Sequence, residues 1–558
     1  MPVHSPLPAV DIPPLDVTTY YFERARAAER DPSAPLVIDG ATSAATTLHE
    51  IQHHAAALAC VLRGLPPSEI PDHPALRIGP VVAILCPAHI HLSAIHFATL
   101  MADGTTALLD PALQPDALAE RLVATCARAV FVAADLLPTL CSALQMAASD
   151  DAAGRSVPGR DMIFTVDRRC PGFRMLDDLL KDNVNAEYCA PQRMSHDQLA
   201  TTVALIVYSS GTTGAAKGVM LTHRNIVYAQ LMVSGYVASE SKKHAAPPPT
   251  ILSALPPHHL YGFSVHVYQP LATATRLVFL RDSSPSAYLQ AIDKHKVSRL
   301  CATPYTLQML YENSTRNPHT SLIAIDTPDR QQHFDVSSVR VIVCGGASIP
   351  PSMLLKYKEY FNNQALLAIG YGSTEAASII AGCTFARPPV GAVGVLYPGT
   401  SAKVLDNAGK ETEGFGSLYV RGPQVMPGYL AANSVPSPVD TDGYLCTGDY
   451  ARVTPDGAVY LRGRAADVIY TPQGALPAVD VEELVGEHPA VTDCAVVSAG
   501  PKDNAWPVIH VVIDPSTSAS VEDIDSWLTS RVAYKYELKT VSRIPKNHGG
   551  KILRSLLQ

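Results

Sequence analysis

The sequence predicts an α/β protein with a large N-terminal part built on parallel sheets and a small α+β domain at the C-terminus. Three stretches of different texture lead to this prediction. From about residue 76 to residue 380, short apolar or β-branched runs alternate with longer segments of helical character. From about residue 385 to residue 462, short strands alternate with turns rich in Gly, Pro and Asp-Gly. The final hundred or so residues mix strands with one amphipathic helix.

The first stretch contains five clear candidates for buried strands. They are VVAIL at 81–85, AVFVAA at 129–134, ALIVYSS at 204–210, RLVFL at 276–280 and VRVIVC at 339–344. Apolar runs of this length, separated by helical segments, are typical of parallel strands that are covered on both faces. The polar run at 312–334 interrupts the alternation, and we expect a surface insertion there.

The second and third stretches predict two further units. The short strands and tight turns over about 385–462 favour a mainly antiparallel barrel or sandwich. In the last stretch, strands are predicted at AVVSA and VIHVVID, and a helix is predicted to begin near Ser520, where Asp523 completes a capping box. The apolar face of this helix consists of Val521, Ile524, Trp527 and Leu528.

Length and composition limit the class of protein. At 558 residues the chain is long enough for about three to four units of typical domain size. Hydrophobic residues make up 47% and charged residues 17%, which excludes a disordered chain. The formal charge is −8, with 43 Lys plus Arg against 51 Asp plus Glu, so we expect no nucleic-acid partner.

Targeting and redox features predict a cytoplasmic protein without a membrane span. The start, MPVHSPLPAVDIPPLDV, lacks the charged and apolar regions of a secretory signal, and no apolar run approaches the roughly 18 residues that cross a bilayer. The 11 cysteines include no CxxC pair, which argues against a zinc site and a disulfide framework. Residues 555–558 match neither a peroxisomal nor a prenylation signal.

The segment at 208–218 carries the clearest chemical signal. It reads YSSGTTGAAKG and follows the strand-like run VALIV. Glycines allow the backbone to approach a polyphosphate closely, hydroxyls donate to its oxygens, and Lys217 adds a compact positive charge. A Walker P-loop is excluded because it needs Gly before the Lys and Ser or Thr after it, where this chain has Ala216 and Gly218. Taken alone, the segment is also compatible with a flexible surface turn.

Four more segments follow this loop in order. They are LPPHHLYG at 255–262, GYGSTE at 370–375, DGYLCTGD at 442–449 and PKNHGGKILR at 545–554. With the loop, they resemble the five signature motifs of the adenylate-forming (AMP-binding) superfamily, in the acyl-CoA synthetase branch that includes the 4-coumarate-CoA ligases. The resemblance extends from about residue 30 to the C-terminus. Two positions depart from the usual motifs, since Ala216 replaces a Pro and His258 replaces an aromatic residue.

This resemblance implies a fold and a reaction. The implied fold has an N-terminal domain over 1–463, made of two doubly wound α/β subdomains plus a β-barrel-like subdomain, and a small mobile α+β domain over 464–558. In the implied reaction, a carboxylate attacks the α-phosphate of ATP, pyrophosphate leaves, and the acyl-adenylate passes to a thiol, usually that of CoA. The implied partners are a carboxylic acid, ATP, Mg²⁺ and CoA.

The resemblance also assigns nucleotide contacts. The residues expected to hold ATP are Ser209, Ser210, Gly211, Thr212, Thr213, Gly214, Lys217, Gly370, Tyr371, Gly372, Thr374, Asp449, Arg464 and Lys551. Tyr371 is expected to stack on adenine, Thr374 to contact the α-phosphate, and Asp449 to accept the ribose hydroxyls. Glu375 is expected to hold Mg²⁺. Lys551 is expected to bridge the substrate carboxylate and the phosphate during adenylation.

A further group of residues is expected to form the acyl site. It consists of His259, Tyr261, Gly345, Gly346, Ala347, Ser378 and Ile379. By resemblance, His259 serves as a gate or stacking platform and is counted with Lys551 and Thr374 as catalytic, while the small residues leave a flat, roomy slot. For His259 the alternative is a core histidine with satisfied hydrogen bonds, and for Ile379 it is a role in the core alone.

The hinge region matches the family least well. Tyr470 stands where plant coumarate ligases have Lys, and Pro472-Gln473 replaces a Lys-Gly pair. In the family this loop lines the tunnel for the thiol after the small domain rotates. Pro472 stiffens the loop and removes an N–H donor, although Gly474 supplies a glycine after a one-residue shift. Thioester formation is therefore the less secure of the two implied steps.

Three functions follow from these features. The first is an acid:CoA ligase that acts on an aryl or medium-chain acid. The second is a stand-alone adenylating enzyme that loads the thiol of a carrier protein, which the altered hinge loop favours. The third is a ligand-binding or regulatory protein with a decayed site. The presence of Lys217, Glu375, Asp449 and Lys551 argues against the third.

Overall fold

A computed structural model of the chain describes residues 2–29, 31–70, 75–149, 157–188, 190–209, 216–232, 249–316, 322–326, 331–347, 349, 351–361, 365–382, 389, 391–430, 437–501, 504–546 and 552–557. Residues 210–214 and Lys551, which were predicted to contact ATP, lie outside these ranges.

The strands, in chain order, are β1 (Val3–His4), β2 (Val37–Asp39), β3 (Ala45–Thr46), β4 (Val81–Leu85), β5 (Thr105–Leu108), β6 (Ala127–Val132), β7 (Ile163–Thr165), β8 (Arg174–Met175), β9 (Val203–Ser209), β10 (Lys217–Thr222), β11 (Thr250–Ser253), β12 (Arg276–Phe279), β13 (Arg299–Ala302), β14 (Thr315–Arg316), β15 (Leu322–Asp326), β16 (Gln331–Asp335), β17 (Val341–Cys344), β18 (Leu366–Tyr371), β19 (Ala381–Gly382), β20 (Gly394–Leu396), β21 (Ser401–Leu405), β22 (Gly416–Arg421), β23 (Gly428–Tyr429), β24 (Leu445–Val453), β25 (Ala458–Arg464), β26 (Val468–Thr471), β27 (Gly474–Pro477), β28 (Val491–Ala499), β29 (Trp506–Ile513) and β30 (Glu537–Thr540).

The helices are α1 (Val17–Ala28), α2 (Leu48–Leu62), α3 (Leu92–Met101), α4 (Pro115–Thr125), α5 (Leu137–Ser149), α6 (Leu176–Asp182), α7 (His196–Thr201), α8 (223–232), α9 (Leu260–Phe263), α10 (Gln269–Thr273), α11 (Pro285–His295), α12 (Pro304–Glu312), α13 (Pro351–Tyr360), α14 (Ala478–Val485) and α15 (Val521–Thr529). A π-helical turn at Ser264–Tyr268 connects α9 to α10, and 3₁₀ turns occur at Thr374–Ala376 and Arg554–Leu556, among others.

The first large sheet has the strand order β23-β10-β9-β5-β4-β6-β7-β8. Strands β9 to β8 in this order are parallel, while β10 and β23 add an antiparallel edge. Successive residues of β4 point to opposite faces, so that Val82 and Ile84 pack with α2 and α3 while Ala83 and Leu85 pack with α4 and α5. The sheet is therefore covered on both faces, as the apolar runs predicted.

The second large sheet contains fourteen strands in the order β1-β21-β22-β24-β25-β20-β19-β18-β17-β13-β11-β12-β2-β3. The strands from β18 to β2 are parallel and form the second α/β subdomain. Helices α11, α12 and α13 cover one face of these strands. The other face shares a core with the first subdomain through residues such as Ile251 and Phe279.

The strands over about 385–462 form an open antiparallel extension of this sheet. β18 pairs with β19, at Gly370 with Gly382 and Tyr371 with Ala381, and the sheet continues from β19 to β1. Among the described strands no pairing closes this run, so the expected barrel-like closure was wrong, although the antiparallel pairing was predicted correctly. The reason is that the first strand of the run pairs with the neighbouring parallel sheet instead of with the last strand of the run.

The polar segment at 312–334 forms a small antiparallel sheet of β14, β15 and β16. It is more than a surface insertion, because Ile323 and Phe334 are buried in the core of the second subdomain. One apolar side chain on each of two paired strands is enough to fix this unit to the domain.

The small C-terminal domain is an α+β unit, as predicted. Strand β29 pairs antiparallel with β28 and parallel with β30, and α14 and α15 pack on this sheet. Helix α15 begins after Ser520, whose hydroxyl oxygen accepts from the N–H of Asp523 while the Asp523 carboxylate accepts from the N–H of Ser520. Ile524 and Leu528 are buried in the domain core. The predicted capping box and apolar face are therefore confirmed.

The N-terminal strand β1 occupies the outer edge of the fourteen-stranded sheet. It pairs with β21, at Val3 with Ala402 and His4 with Ser401. Pro6 then packs against Gly457, where an added Cβ atom would lie 2.6 Å from the proline ring. Within the described ranges, no helix combines the length and the apolar character that crossing a membrane requires.

Several histidines are buried in the core as neutral side chains. On α3, the Nε2 atom of His96 lies 3.0 Å from the Tyr268 hydroxyl and its Nδ1 atom lies 2.9 Å from the Thr106 hydroxyl. Burial lowers the pKa of His96 to about 3. His266, in the π-helical turn, lies 3.2 Å from the Ser253 hydroxyl, and burial lowers the pKa of His266 to about 4. These imidazoles accept or donate hydrogen bonds as neutral groups at neutral pH.

We expect acid to destabilise the fold through these histidines. An unfolded chain binds a proton at each of them near pH 6.5, whereas the folded chain does not, so their stabilisation is complete above about pH 6.5 and is lost as the pH falls towards 4. Each such histidine contributes a slope of about 1.4 kcal/mol per pH unit. Thermal unfolding of His266→Gln between pH 7.5 and 4.5 should show a shallower fall in midpoint than the parent chain. His49→Gln, at an exposed position, is the control, and equal slopes for all three chains would contradict the prediction.

Candidate active site

All five signature segments meet in one cleft of about 4070 Å³. Described residues from each segment line it: Ser209 and Lys217 from the first, 255–262 from the second, 370–375 from the third, 445–449 from the fourth, and Pro545, Lys546, Ile552, Leu553 and Arg554 from the fifth. The segments come from both α/β subdomains, the antiparallel strands and the small domain. Loops at the carboxyl ends of parallel strands meet at one edge of a sheet, which explains why segments far apart in sequence converge here.

A bulge in β24 orients Asp449 in this cleft. Gly448 has a φ of 72°, a left-handed conformation that favours glycine, and the register between β24 and β25 shifts between Asp449 and Ala451. The shift places Asp449 opposite Arg464 on β25. The glycine before the carboxylate is therefore needed for its direction.

Two side chains hold the Asp449 carboxylate. The Tyr371 hydroxyl donates to Oδ2 over 2.6 Å, and Arg464 Nη1 lies 3.1 Å from Oδ1. Arg464 Nη1 also donates to the Thr447 carbonyl over 3.1 Å. Burial, followed by the nearby Asp449 charge, raises the pKa of Tyr371, so the phenol keeps its proton and acts as a donor. The three predicted residues Tyr371, Asp449 and Arg464 thus form one hydrogen-bonded cluster.

The turn that follows β18 presents Thr374 and Glu375. An added Cβ atom at Gly372 would lie 2.0 Å from the Ser378 carbonyl oxygen, so only glycine fits there. Ala377 and Ser378 both adopt left-handed conformations, with φ of 48° and 72°. Two consecutive non-glycine residues in this region store strain, which occurs in proteins where the backbone is held for function.

Glu375 and Lys217 both contact Tyr429, which lies on a third element, β23. The Tyr429 hydroxyl donates to Glu375 Oε1 over 3.0 Å, and Lys217 Nζ lies 5.2 Å from the centre of the Tyr429 ring. The pairing of β10 with β23 brings Lys217 and Tyr429 together. Ser209, at the end of β9, lies opposite Lys217, at the start of β10. The segment between them, which is predicted to contact phosphate, is called the phosphate loop below.

The site fits a nucleotide with a magnesium ion. Glu375 offers a carboxylate oxygen, which suits Mg²⁺, and the described residues contain no cluster of three or more His, Cys, Asp or Glu able to hold a metal alone. Mg²⁺ usually binds through one or two carboxylates together with phosphate oxygens and water. At Gly370 an added Cβ atom would meet no heavy atom within 4 Å, so this part of the cleft has room for a ligand.

His259 and His258 lie at the junction between the two α/β subdomains. Their ring centres are 4.4 Å apart, and His258 Nε2 lies 3.5 Å from Oδ1 of Asp110, which follows β5. Burial lowers the pKa of His259, so its imidazole is neutral at neutral pH. A neutral ring facing the cleft is suited to stack against an uncharged acyl group.

Tyr261 and Gly345 are neighbours in the lining of the cleft, and the space that they border is called the slot below. The Tyr261 hydroxyl donates to the Val343 carbonyl over 3.0 Å, and burial raises the pKa of Tyr261. An added Cβ atom at Gly345 would lie 3.3 Å from the Gly370 carbonyl oxygen and 3.9 Å from Tyr261 Cε1. Gly346 and Ala347 continue the same wall of the cleft. The small residues therefore determine the width of the slot.

Ser378 and Ile379 line the cleft, as predicted, but Ile379 also has a packing role. It is 8% exposed and belongs to a small apolar cluster with Tyr228 and Met232. Most of the Ile379 side chain therefore packs in the core, as in the alternative interpretation.

The small domain presents its C-terminal segment to the cleft. Lys546 and Ile552 pair with each other, and the Leu553 N–H donates to the Pro545 carbonyl. Arg554 is held by Glu482 at 2.6 Å and by Asp467 at 3.6 Å. Burial raises the pKa of Glu482 to about 7, while the Arg554 charge acts in the opposite direction.

The hinge hairpin β26–β27 contacts the antiparallel strands instead. The Tyr470 hydroxyl donates to Asn407 Oδ1 over 2.7 Å, and Arg462 on β25 lies 3.5 Å from Asp480 and 3.9 Å from Glu483 on α14. None of residues 470–475 is among the described residues that line the cleft. In this orientation the C-terminal segment, and not the hinge loop, lines the cleft among the described residues.

Sequence reasoning missed Tyr429, which joins Lys217 to Glu375. Its one local signal is the preceding Pro427-Gly428 pair, which is typical of a turn. The contact itself depends on the pairing of β10 with β23, two strands separated by about two hundred residues of chain.

The fold and the site define a two-domain α/β protein whose cleft joins carboxylates, hydroxyls and a lysine from five distant segments. The chain belongs to the AMP-binding enzyme family: the model of that family matches residues 24–430, and the model of its C-terminal domain matches residues 480–551. The boundary at 463/464 stays a prediction.

Relatives and solved structures agree with this family. The chain is 29% identical to 4-coumarate-CoA ligase-like 3 of Oryza sativa subsp. japonica, over 100% of this chain and 90% of the relative. It is 25% identical to the probable CoA ligase CCL5 of Humulus lupulus, over 97% and 92%. The fold matches ATP-bound MatB from Rhodopseudomonas palustris with a TM-score of 0.78 at 22% identity, over 97% and 98% of the two chains. A benzoate CoA ligase from Burkholderia xenovorans LB400 gives a TM-score of 0.75 at 20% identity, over 97% and 99%.

We expect Asp449→Asn to weaken AMP binding on the order of 10- to 100-fold, because hydrogen bonds to a charged group contribute about 1.5–3 kcal/mol. The substitution removes the negative charge that Arg464 and Tyr371 hold in place. Calorimetric titration with AMP measures the change. Asp440→Asn is the matched control, since Asp440 pairs with Lys403 at 2.8 Å in the same subdomain but outside the cleft. Equal affinities for the two variants would refute the role of Asp449.

Proposed function

We propose that this protein is an ATP-dependent acid:CoA ligase that forms an acyl-adenylate and then an acyl-CoA thioester. The observation that supports this most strongly is the convergence of the five segments in one cleft, with the Tyr371–Asp449–Arg464 cluster beside the Glu375–Tyr429–Lys217 cluster. The names of relatives, which include coumarate and other CoA ligases, favour the same reaction.

The first cluster would hold the nucleoside. A carboxylate only accepts hydrogen bonds, so the remaining lone pairs of Asp449 suit the two ribose hydroxyls. Tyr371 and Arg464 keep its two oxygens in a fixed direction before ATP arrives. A preorganised acceptor loses less entropy on binding than a mobile side chain does.

The second cluster would hold the triphosphate. Lys217 supplies a positive charge, and Glu375 would bind Mg²⁺, which reduces the repulsion between the phosphates and an incoming carboxylate. Thr374, beside Glu375 in the same 3₁₀ turn, is directed to the α-phosphate in this proposal. The strained turn at 372–378 keeps these two side chains in place.

The slot bordered by Tyr261 and Gly345 would receive the acyl group. Gly345, Gly346 and Ala347 are small, His259 is neutral, and His258 pairs with Asp110. Such a lining suits an uncharged aryl or medium-chain group whose only ionised part is the reacting carboxylate.

Adenylation and thioester formation would then follow in order. A carboxylate oxygen of the acid attacks the α-phosphorus of ATP, the bond to the β-phosphate oxygen breaks, and pyrophosphate leaves. Lys551 would stabilise this step, as the resemblance of the C-terminal segment implies. The thiol sulfur then attacks the carbonyl carbon, AMP leaves, and the thiol proton passes to the medium.

A second candidate function is the loading of a carrier-protein thiol. The contact of Tyr470 with Asn407 and the proline in the adjacent loop favour it, because both make this hairpin unlike the family loop that lines the CoA tunnel. The adenylation step is the same in both functions, so the acceptor distinguishes them.

The deciding experiment is pyrophosphate release from ATP and Mg²⁺ across aryl, cinnamyl and fatty acids, with and without CoA, followed by mass analysis. Formation of an acyl-CoA from a subset of acids is the expected result. Pyrophosphate release without a CoA product would favour the carrier-protein function, and no release with any acid would refute both functions.

Lys551→Ala should abolish pyrophosphate release while a supplied acyl-adenylate is still transferred. Equal loss of both activities would contradict the role assigned to Lys551.

Gly345→Val should narrow the acyl slot. Its Cβ atom would lie 3.3 Å from the Gly370 carbonyl oxygen, and the two further methyl groups add bulk beside Tyr261. We expect the KM for a bulky aryl acid to rise on the order of tenfold or more, since overpacking costs about 1–3 kcal/mol. A short aliphatic acid serves as the internal control. An equal rise in KM for short and bulky acids would place the acyl group elsewhere.

A further inference from the structure

One arginine of the first subdomain contacts both sides of the phosphate loop. Arg121 lies on α4, and its Nη1 donates to the Ala216 carbonyl over 2.6 Å. The carbon of its guanidinium group lies 4.1 Å from the centre of the Tyr208 ring. Tyr208 is the residue before Ser209, where the loop begins, and Ala216 is the residue before Lys217, where β10 begins. A single side chain therefore connects the two ends of the loop.

The strand pairing makes these two contacts rigid. In the β9–β10 pair, Ser209 lies opposite Lys217 and Tyr208 lies opposite Gly218. An added Cβ atom at Gly218 would lie 3.3 Å from Tyr208 Cε1 and 2.9 Å from Leu430 Cβ, so the glycine leaves the space in which the Tyr208 ring packs. The ring in turn provides a flat face for the guanidinium.

Within the described ranges, no ion pair involves the charge of Arg121, and its hydrogen bond goes to a neutral carbonyl. A partly buried guanidinium without a carboxylate partner makes the potential around it positive. Here that potential acts beside Ala216 and Lys217, where the loop rejoins β10.

The arginine stands next to the one departure of this loop from the family motif. Ala216 occupies the place of the usual proline, so the backbone there lacks the fixed φ that a proline ring provides. A hydrogen bond to the Ala216 carbonyl instead restrains the Ala216–Lys217 peptide unit, the next one along the chain. That peptide unit connects directly to Lys217, the cation of the loop.

We propose that Arg121 is a positioning residue for the triphosphate of ATP, which it serves by fixing the Ala216–Lys217 peptide in place of the missing proline. The inference rests on the proposed function, because it assumes that the loop binds ATP. Arg121 acts on ATP through the loop and through its positive charge. In this proposal Lys217, and not Arg121, contacts the reacting atoms.

The test compares Arg121→Met with Arg128→Met. Arg128, in the same subdomain, also donates to a backbone carbonyl, but to that of Pro67 at 2.9 Å and not to that of Ala216. For Arg121→Met we expect weaker ATP binding and a KM for ATP raised on the order of tenfold, while transfer from a supplied acyl-adenylate to the thiol stays within twofold of the parent chain. Arg128→Met should leave all three quantities unchanged. Equal loss of both half-reactions in Arg121→Met would mean that the arginine only stabilises the fold, and would overturn the proposal.

A rescue variant separates positioning from charge. Adding Ala216→Pro to Arg121→Met should recover most of the ATP affinity, because the ring fixes the backbone that the arginine had held. If Arg121→Met fails to fold, Arg121→Lys with and without Ala216→Pro gives the same comparison, since lysine keeps the charge but lacks the planar fork. If Ala216→Pro improves ATP affinity in neither background, Arg121 does not take over the role of the missing proline.

ATP affinity is measured by calorimetry without any acid. An affinity that depends on Arg121, in a chain that releases no pyrophosphate, would refute the proposed function and leave this inference standing.

Discussion

The hydrogen bond between Tyr371 and Asp449 joins two strands that are four positions apart in the same sheet. On a flat sheet, strands spaced about 4.8 Å apart would separate these positions by about 19 Å. The 2.6 Å contact therefore requires the antiparallel strands to curl back over the carboxyl edge of the parallel strands. The pairing of β18 with β19 starts this curl, and the bulge at Gly448 completes the approach. The Asp449 carboxylate and the turn that carries Glu375 are thus positioned relative to each other by backbone hydrogen bonds.

The sequence predicted the parts of this arrangement that depend on local patterns. Apolar runs gave the parallel strands, and β4 coincides with its predicted run at 81–85. The capping box at Ser520 required only two side chains three residues apart. Asp449 and Arg464 were assigned from motifs, and they meet because neighbouring strands of a hairpin carry them. The curl of the antiparallel strands without closure could not be predicted, since it depends on which edge of the parallel sheet the first strand of the run joins.

The two residues that sequence reasoning missed, Tyr429 and Arg121, reach their partners only because elements far apart in the sequence pack together. Tyr429 reaches Glu375 because β23 adds to the edge of the first sheet, and Arg121 reaches Ala216 because α4 packs beside β9 and β10. Neither residue lies in a segment that stands out by composition. The position of the hinge hairpin of the small domain also depends on a non-local contact, since the whole of the fourth signature segment separates Tyr470 from Asn407 in the sequence.

The short strand β1 has a consequence for the solution behaviour of the protein. An outer edge of a sheet exposes unpaired N–H and C=O groups to which a strand of another chain can add. Here the edge strand has two residues and is flanked by Pro2 and Pro6, neither of which can donate a backbone hydrogen bond. It covers the longer strand β21, Ser401–Leu405, which would otherwise form the edge. The first six residues therefore protect this edge from edge-to-edge aggregation, and removing them would leave Ser401 and Ala402, the two residues of β21 that β1 covers, open to pairing with another chain.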